Sequence, residues 1–202
     1  MLEWLGQNWY IYVVLFALLL IVFFALGKVS SGHNKLMESR QARLKKLHEL
    51  RGSFENMTED AFDKVEDDFL LDGVALHYQL RLQKEEDMNE AFTKLPEAAR
   101  YVYALNIFCF EGGVLSGFYR DNGKPLSPVL AMALRVIGEE KLAEIAEKLE
   151  PMFDDENENV SIDYKFIKTL DETASNVYNE EEFKLKAAAY IRENKAAFFG
   201  AE

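Results

Sequence analysis

Nineteen consecutive residues without a charge, WYIYVVLFALLLIVFFALG from Trp9 to Gly27, constrain this chain more than any other feature. At about 1.5 Å of rise per residue such a run spans roughly 28 Å as a helix, close to the hydrocarbon thickness of a bilayer. Trp4, Trp9, Tyr10 and Tyr12 gather at its first end, where amphipathic rings favour the headgroup level. A cleaved export signal is the alternative, and Ala25-Leu26-Gly27 supplies small residues at suitable spacing. Export signals, however, carry a basic leader and a shorter apolar run, and here only Glu3 precedes, with no Lys or Arg. The expectation is one uncleaved transmembrane helix, with its flank occupying residues 1–27.

The charge beyond it sets the expected topology. Residues 28–51 hold seven Lys and Arg against Glu38 and Glu49, a net of +5, whereas residues 52–202 hold 16 Lys and Arg against 32 acids, a net of −16. Positive charge flanking a span stays on the cytoplasmic side. The chain is therefore expected in the inner (cytoplasmic) membrane, single-pass, with its N-terminus outside and residues 52–202 in the cytoplasm. The basic segment 28–51, with Leu36, Leu44, Leu47 and Leu50 at near-helical intervals, either lies against anionic lipid or serves as a solvated linker. The acidic body repels phosphates, which argues against direct nucleic-acid binding. Asn56-Met57-Thr58 and Asn159-Val160-Ser161 match the glycosylation triplet, but a cytoplasmic domain does not meet the transferase.

The body reads as helices throughout. In AFDKVEDDFLLDGVALHYQLRL, Phe62, Val65, Phe69, Leu76 and Leu80 fall near helical spacing, and Gly73 weakens that run without ending it. Pro96 opens a stripe of Ala98, Tyr101, Val102, Leu105, Phe108 and Cys109. Ser127 is a candidate cap for a helix through Leu130 and Leu134 that Gly138 closes, and Asn179 with Glu182 resembles a capping box. No stretch alternates with period two, so the expected fold is all-α: a single N-terminal transmembrane helix followed by an acidic multi-helix globular domain over residues 52–202. The single cysteine, Cys109, lies in an apolar run and reads as an inert core thiol.

Four of the eleven glycines fall between Gly112 and Gly123, and that concentration is the candidate for chemistry. A phosphate loop needs Gly-Lys-Ser/Thr, but Lys124 precedes Pro125. A nucleophile elbow needs glycines two before and two after the serine, but Val114 and Phe118 flank Ser116. His33, His48 and His77 share no helical face, and DDENENVSIDYK lacks the sixth-position glycine and final Glu of a calcium loop. No catalytic residue, metal, cofactor or small-molecule substrate is expected. The remaining reading is structural: Gly112 and Gly113 release a helix into a corner, Gly117 permits close packing beside Phe118, Asn122-Gly123 turns with positive φ, and Gly138 ends the next helix.

The run EGG…GF…NG, followed by ALRVIGEEKLAEIAEKLEPMF and LDETASNVYNEEEFKLKAAAYIRENKAAFF, resembles the C-terminal-domain family of the bacterial DNA-mimic proteins over roughly residues 95–199. In that family a helix delivers Asn-Gly-Gly-Phe, then an aromatic and an Asn-containing turn, then a helix ending in Ile-Gly. Gly112, Gly113, Phe118, Asn122-Gly123 and Ile137-Gly138 match, while Glu111 stands for the Asn and Val114 for the Phe. The resemblance implies an all-helical acidic domain that binds another protein.

Charge spacing suggests where. Glu140, Glu144 and Glu147 fall on one helical face, with Glu150 and Asp154 near the same line. A row at about 5.4 Å per turn is either a strand-like line of negative charge or a solvated face. The favoured function is a membrane-anchored, non-catalytic interaction module that takes a basic protein partner on this face, with Phe118 and Tyr119 as a possible apolar contact. DNA-mimic-like sequestration and toxin neutralisation are special cases of it. The alternative is a structural subunit that contacts a membrane assembly through residues 9–27, although that run has no Gly-x-x-x-Gly pair.

Overall fold

The computed structural model describes residues 44–46, 48–153 and 163–199. The expected span at 9–27, most of the basic segment and the acidic loop 154–162 with Asp154 lie outside the described residues. Among the described residues there are helices and no strands, and no single helix is long and apolar enough to cross a membrane. The all-helical expectation for the body holds.

A compact unit begins at Glu49. After helical residues 49–54 it contains α1 (Glu59–Lys64), α2 (Asp67–Leu82), α3 (Met88–Lys94), α4 (Glu97–Phe110), α5 (Leu115–Asp121), α6 (Leu130–Val136), α7 (Glu140–Leu149), α8 (Tyr164–Val177), α9 (Glu180–Glu193) and α10 (Lys195–Phe199). Side chains at the starts of four helices accept from otherwise unbonded backbone N–H groups: Thr58 from Ala61, Asp87 from Asn89 and Glu90, Asp163 from Lys165 and Phe166, and Asn179 from Glu181 and Glu182. Glu182 does not complete the capping box; its carboxylate pairs with Lys186 at 2.7 Å. Ser127 does not act as a cap either, since its side chain gives no cap bond and Ser127–Val129 forms a 3-10 turn.

The run expected as one helix over residues 62–82 is two. Arg192, on α9, donates to the carbonyls of Phe62 at 2.6 Å and Val65 at 2.7 Å. Those oxygens would accept from residues 66 and 69 in an unbroken helix. The guanidinium also reaches Asp67 Oδ1 at 3.0 Å and lies 5.3 Å from the centre of the Phe62 ring. A partner from far along the chain thus ends α1 and anchors the start of α2.

Helix α4 is the centre of the unit. It packs against α2, α6, α9 and α10, burying Ala98, Ala99, Val102, Leu105, Phe108 and Cys109. Helix α2 buries Leu70, Leu71, Val74 and Tyr78, each large side chain contributing about 1.5–3 kcal/mol. Asp72, buried among them, accepts from Asn106 Nδ2 of α4 at 2.8 Å. Gly73 has a packing role that its propensity hides: a Cβ there would sit 2.8 Å from the buried Phe54 ring. One turn on, His77 Nδ1 donates to the Phe54 carbonyl at 3.0 Å. Helices α6 and α7 pack on each other, and α8 covers α7.

Candidate functional site

The glycine corner joins α4 to α5. Gly112 at φ 70° and Gly113 at φ 76° occupy the left-handed region that L side chains avoid. Their N–H groups return to Cys109 O and Phe108 O, each at 3.0 Å, and satisfy the last carbonyls of α4. Gly113 is constrained twice, because a Cβ would fall 2.4 Å from the Tyr178 ring. That ring stands edge-on to Phe108 and Phe183 at 5.4 Å. Across the corner, the Asp171 carboxylate of α8 receives the Ser116 backbone N–H at 3.0 Å and, through its other oxygen, the Ser116 hydroxyl. Gly138, at φ 80°, closes α6 in the same manner, with Glu139 N donating to Leu134 O at 2.9 Å.

Three expectations for the corner are corrected. Gly117 is buried, but a Cβ there would make only ordinary contacts, the nearest 3.6 Å from Val114, so close approach does not require glycine. Neither Asn122 nor Gly123 has positive φ; Asn122 is extended at φ −131° and donates through Nδ2 to Phe118 O, and a cis Lys124–Pro125 bond follows. Phe118 and Tyr119 are core residues and do not form a docking surface. Tyr119 stacks on Phe153 with ring centres 6.1 Å apart. Its hydroxyl is buried without a hydrogen-bond partner, and burial, followed by the Glu150 and Glu147 carboxylates, pushes its pKa far up.

Glu140, Glu144 and Glu147 all lie exposed on α7. They do not form an uninterrupted negative row. Arg135, on α6, grips Glu147 with both forks, Nη1 to Oε1 at 2.6 Å and Nη2 to Oε2 at 2.9 Å, and its Nε lies 3.5 Å from Glu140. Glu144 has no ion pair among the described residues. Lys141 and Lys148 are exposed on the same helix, Glu150 is half-buried in the 3-10 turn that follows, and Asp154 lies outside the described residues. Neutralisation recurs on α9, where Glu180 meets Lys184 at 2.6 Å and Glu182 shares Lys186 with Glu139. Among the described residues no group of three or more His, Cys, Asp or Glu is arranged to hold a metal ion.

The model of the DMP19-like protein family matches residues 93–194, from the end of α3 to just beyond α9. The chain belongs to the DMP19-like family. This family is DNA-mimic-like, which suggests a DNA-mimic-like protein-interaction module. Comparison with curated proteins and with solved structures gives no match. The corner, the Arg135 clip and the acids of α7 all lie inside the span that the DMP19-like family model covers. Helices α1 and α2 precede that span, yet α2 packs on both α4 and α9. The DMP19-like region is therefore completed here by chain outside the match.

Proposed function

We infer that the domain binds a basic protein partner through its exposed carboxylates, without catalysis, and that residues 9–27 hold it at the cytoplasmic face of the inner membrane. The observation that carries this reading is the net −16 over residues 52–202 of a chain in the DMP19-like family. After ion pairing, the charge available to a partner is spread out: Glu144 on α7, Glu181 at the start of α9, and Glu85 and Glu86 after α2 are exposed and unpaired among the described residues. Separated charges of one sign raise encounter rates with an oppositely charged surface, and salt screens them over about 10 Å at 0.1 M.

The test is partner capture from detergent-solubilised membranes by wild-type chain and by the Glu140→Lys, Glu144→Lys, Glu147→Lys triple variant, each over a salt series. Wild-type association should weaken with salt, and the variant should bind less and respond to salt less. Capture that ignores both salt and the reversal would overturn the charge-based reading. A reporter fused at Glu202 tests the topology: cytoplasmic activity is expected, and activity on the opposite side refutes it.

A further inference from the structure

Helix α4 is apolar nearly all round, which is the pattern of a helix covered on every side. Its core face is covered by α2, α6, α9 and α10. On the other side Tyr103, Ile107 and Phe110 follow one another at helical intervals. Tyr103 and Ile107 line an open pocket of about 370 Å³ between α3 and the 121–126 turn, whose other walls include Met88, Phe92 and Leu126. Phe92 packs on Tyr103 with ring centres 5.8 Å apart, which closes only part of the stripe. Phe110 continues it by one turn and is 76% exposed, and Val114, just beyond the corner, is 45% exposed. The stripe from Tyr103 to Phe110 is about 10 Å long, room for two apolar side chains one turn apart on a docked helix.

Carboxylates adjoin this stripe in sequence. Glu85 and Glu86 shortly precede Met88 and Glu111 directly follows Phe110, none of them ion-paired among the described residues, and Asp121 and Lys124 line the pocket itself. The nearby cations Arg120 and Lys94 are bound to Asp121 and Glu90. Arg81 lines an adjoining pocket together with Glu85 and Glu86.

We propose that the groove along Tyr103, Ile107 and Phe110 is the anchor site for an amphipathic helix of the basic partner, whose apolar side chains fill it while flanking Lys or Arg meet Glu85, Glu86 and Glu111. The proposal rests on the reading of the domain as a binder of basic protein and divides the labour within it. Dispersed carboxylates steer the encounter, and a desolvated apolar anchor supplies most of the affinity.

The probe is a synthetic lysine-rich helical peptide with two leucines four residues apart, compared with a scrambled peptide of identical composition. Binding to the full-length chain in detergent is measured by fluorescence anisotropy. The amphipathic peptide should bind at least about tenfold more tightly than the scrambled one. Phe110→Ser and Met88→Ser, at positions exposed enough to spare the fold, should each remove most of that difference, whereas Met132→Ser, on an exposed face of α6, should not. Equal binding of the two peptides, or a preference that survives both groove variants, overturns the proposal. Salt-sensitive binding without preference leaves the charge-based reading standing alone, and no binding of either peptide at low salt removes both. A wild-type dimer that Phe110→Ser converts to monomer by sedimentation would assign the face to a second copy and also overturn the proposal.

Discussion

Gly112 and Gly113 share a backbone conformation but not an environment, so alanine at each separates two costs that usually arrive together. Both have positive φ, and placing an L residue there costs roughly 1–2 kcal/mol. At Gly112 nothing lies within 4 Å of the added Cβ, so the backbone term stands alone. At Gly113 the Cβ meets the Tyr178 ring at 2.4–2.7 Å, a ring held by Phe108 and Phe183. Overpacking of that kind adds about 1–3 kcal/mol. Gly112→Ala should therefore destabilise the domain by about 1–2 kcal/mol and Gly113→Ala by about 2–5 kcal/mol. Urea melts of residues 49–202 followed by circular dichroism measure both, because this span contains the compact unit. The decisive arm is the Tyr178→Ala background, where Gly113→Ala should fall to the cost of Gly112→Ala. Equal losses at the two glycines, or a Gly113 loss undiminished without the tyrosine ring, would refute the steric account.

Gly73→Ala should lower stability by about 0.5–2 kcal/mol in the same melts, because contact with the Phe54 ring at 2.8 Å outweighs the ~1 kcal/mol that alanine normally gains inside a helix; a stabilised variant would show that Phe54 moves aside freely. The pKa of His77 is lowered from 6.5, first by burial and then by Arg81 and Lys84, against the pull of its bond to Phe54 O. The unfolded chain therefore binds that proton more readily. The His77 contribution is complete above pH 6.5 and is lost as pH falls through that value toward the folded pKa, so wild type should lose more stability than His77→Gln between about pH 7 and pH 5. Identical pH slopes would remove this assignment. Arg192→Ala should cost about 2 kcal/mol by freeing the Phe62 and Val65 carbonyls, and Arg192→Lys should recover little of it, since an ammonium cannot reproduce the fork; full recovery by lysine would reduce the contact to simple charge.

What the sequence revealed and what it hid divide along the distance over which each constraint acts. The left-handed turns at Gly112, Gly113 and Gly138 were legible, since the requirement lies in the glycines and their immediate neighbours. The cap at Asn179 is equally local, whereas those at Asp87 and Asp163 emerged only with the structure. The break after Lys64 was not legible, because Arg192 that imposes it lies more than 120 residues on. Nor was the reason for Gly73, which is the ring of Phe54 on another helical segment. The aromatics beside the corner, Phe118 and Tyr119, were expected as an apolar contact for a partner, but α5 carries them inward.

The acidic face shows the same division with a functional consequence. Helical spacing correctly placed Glu140, Glu144 and Glu147 on the surface, but spacing along one helix cannot see a cation that arrives from the next. Arg135 takes two of the three. An ion pair at this exposure contributes little stability, about 0–1 kcal/mol, so its main effect is on what a partner meets: a zwitterionic surface in place of a line of charge. Phosphates along nucleic acid carry no such internal counter-charge, and their field is correspondingly stronger. A close copy of that field therefore cannot be built on α7 alone while Arg135 holds both glutamates. Either a partner's own anion draws Arg135 away, or recognition depends on the dispersed carboxylates together with an uncharged contact. The second route needs no rearrangement and uses an apolar face that α4 already presents, which is why loss of binding in Phe110→Ser discriminates between them more sharply than any single glutamate reversal.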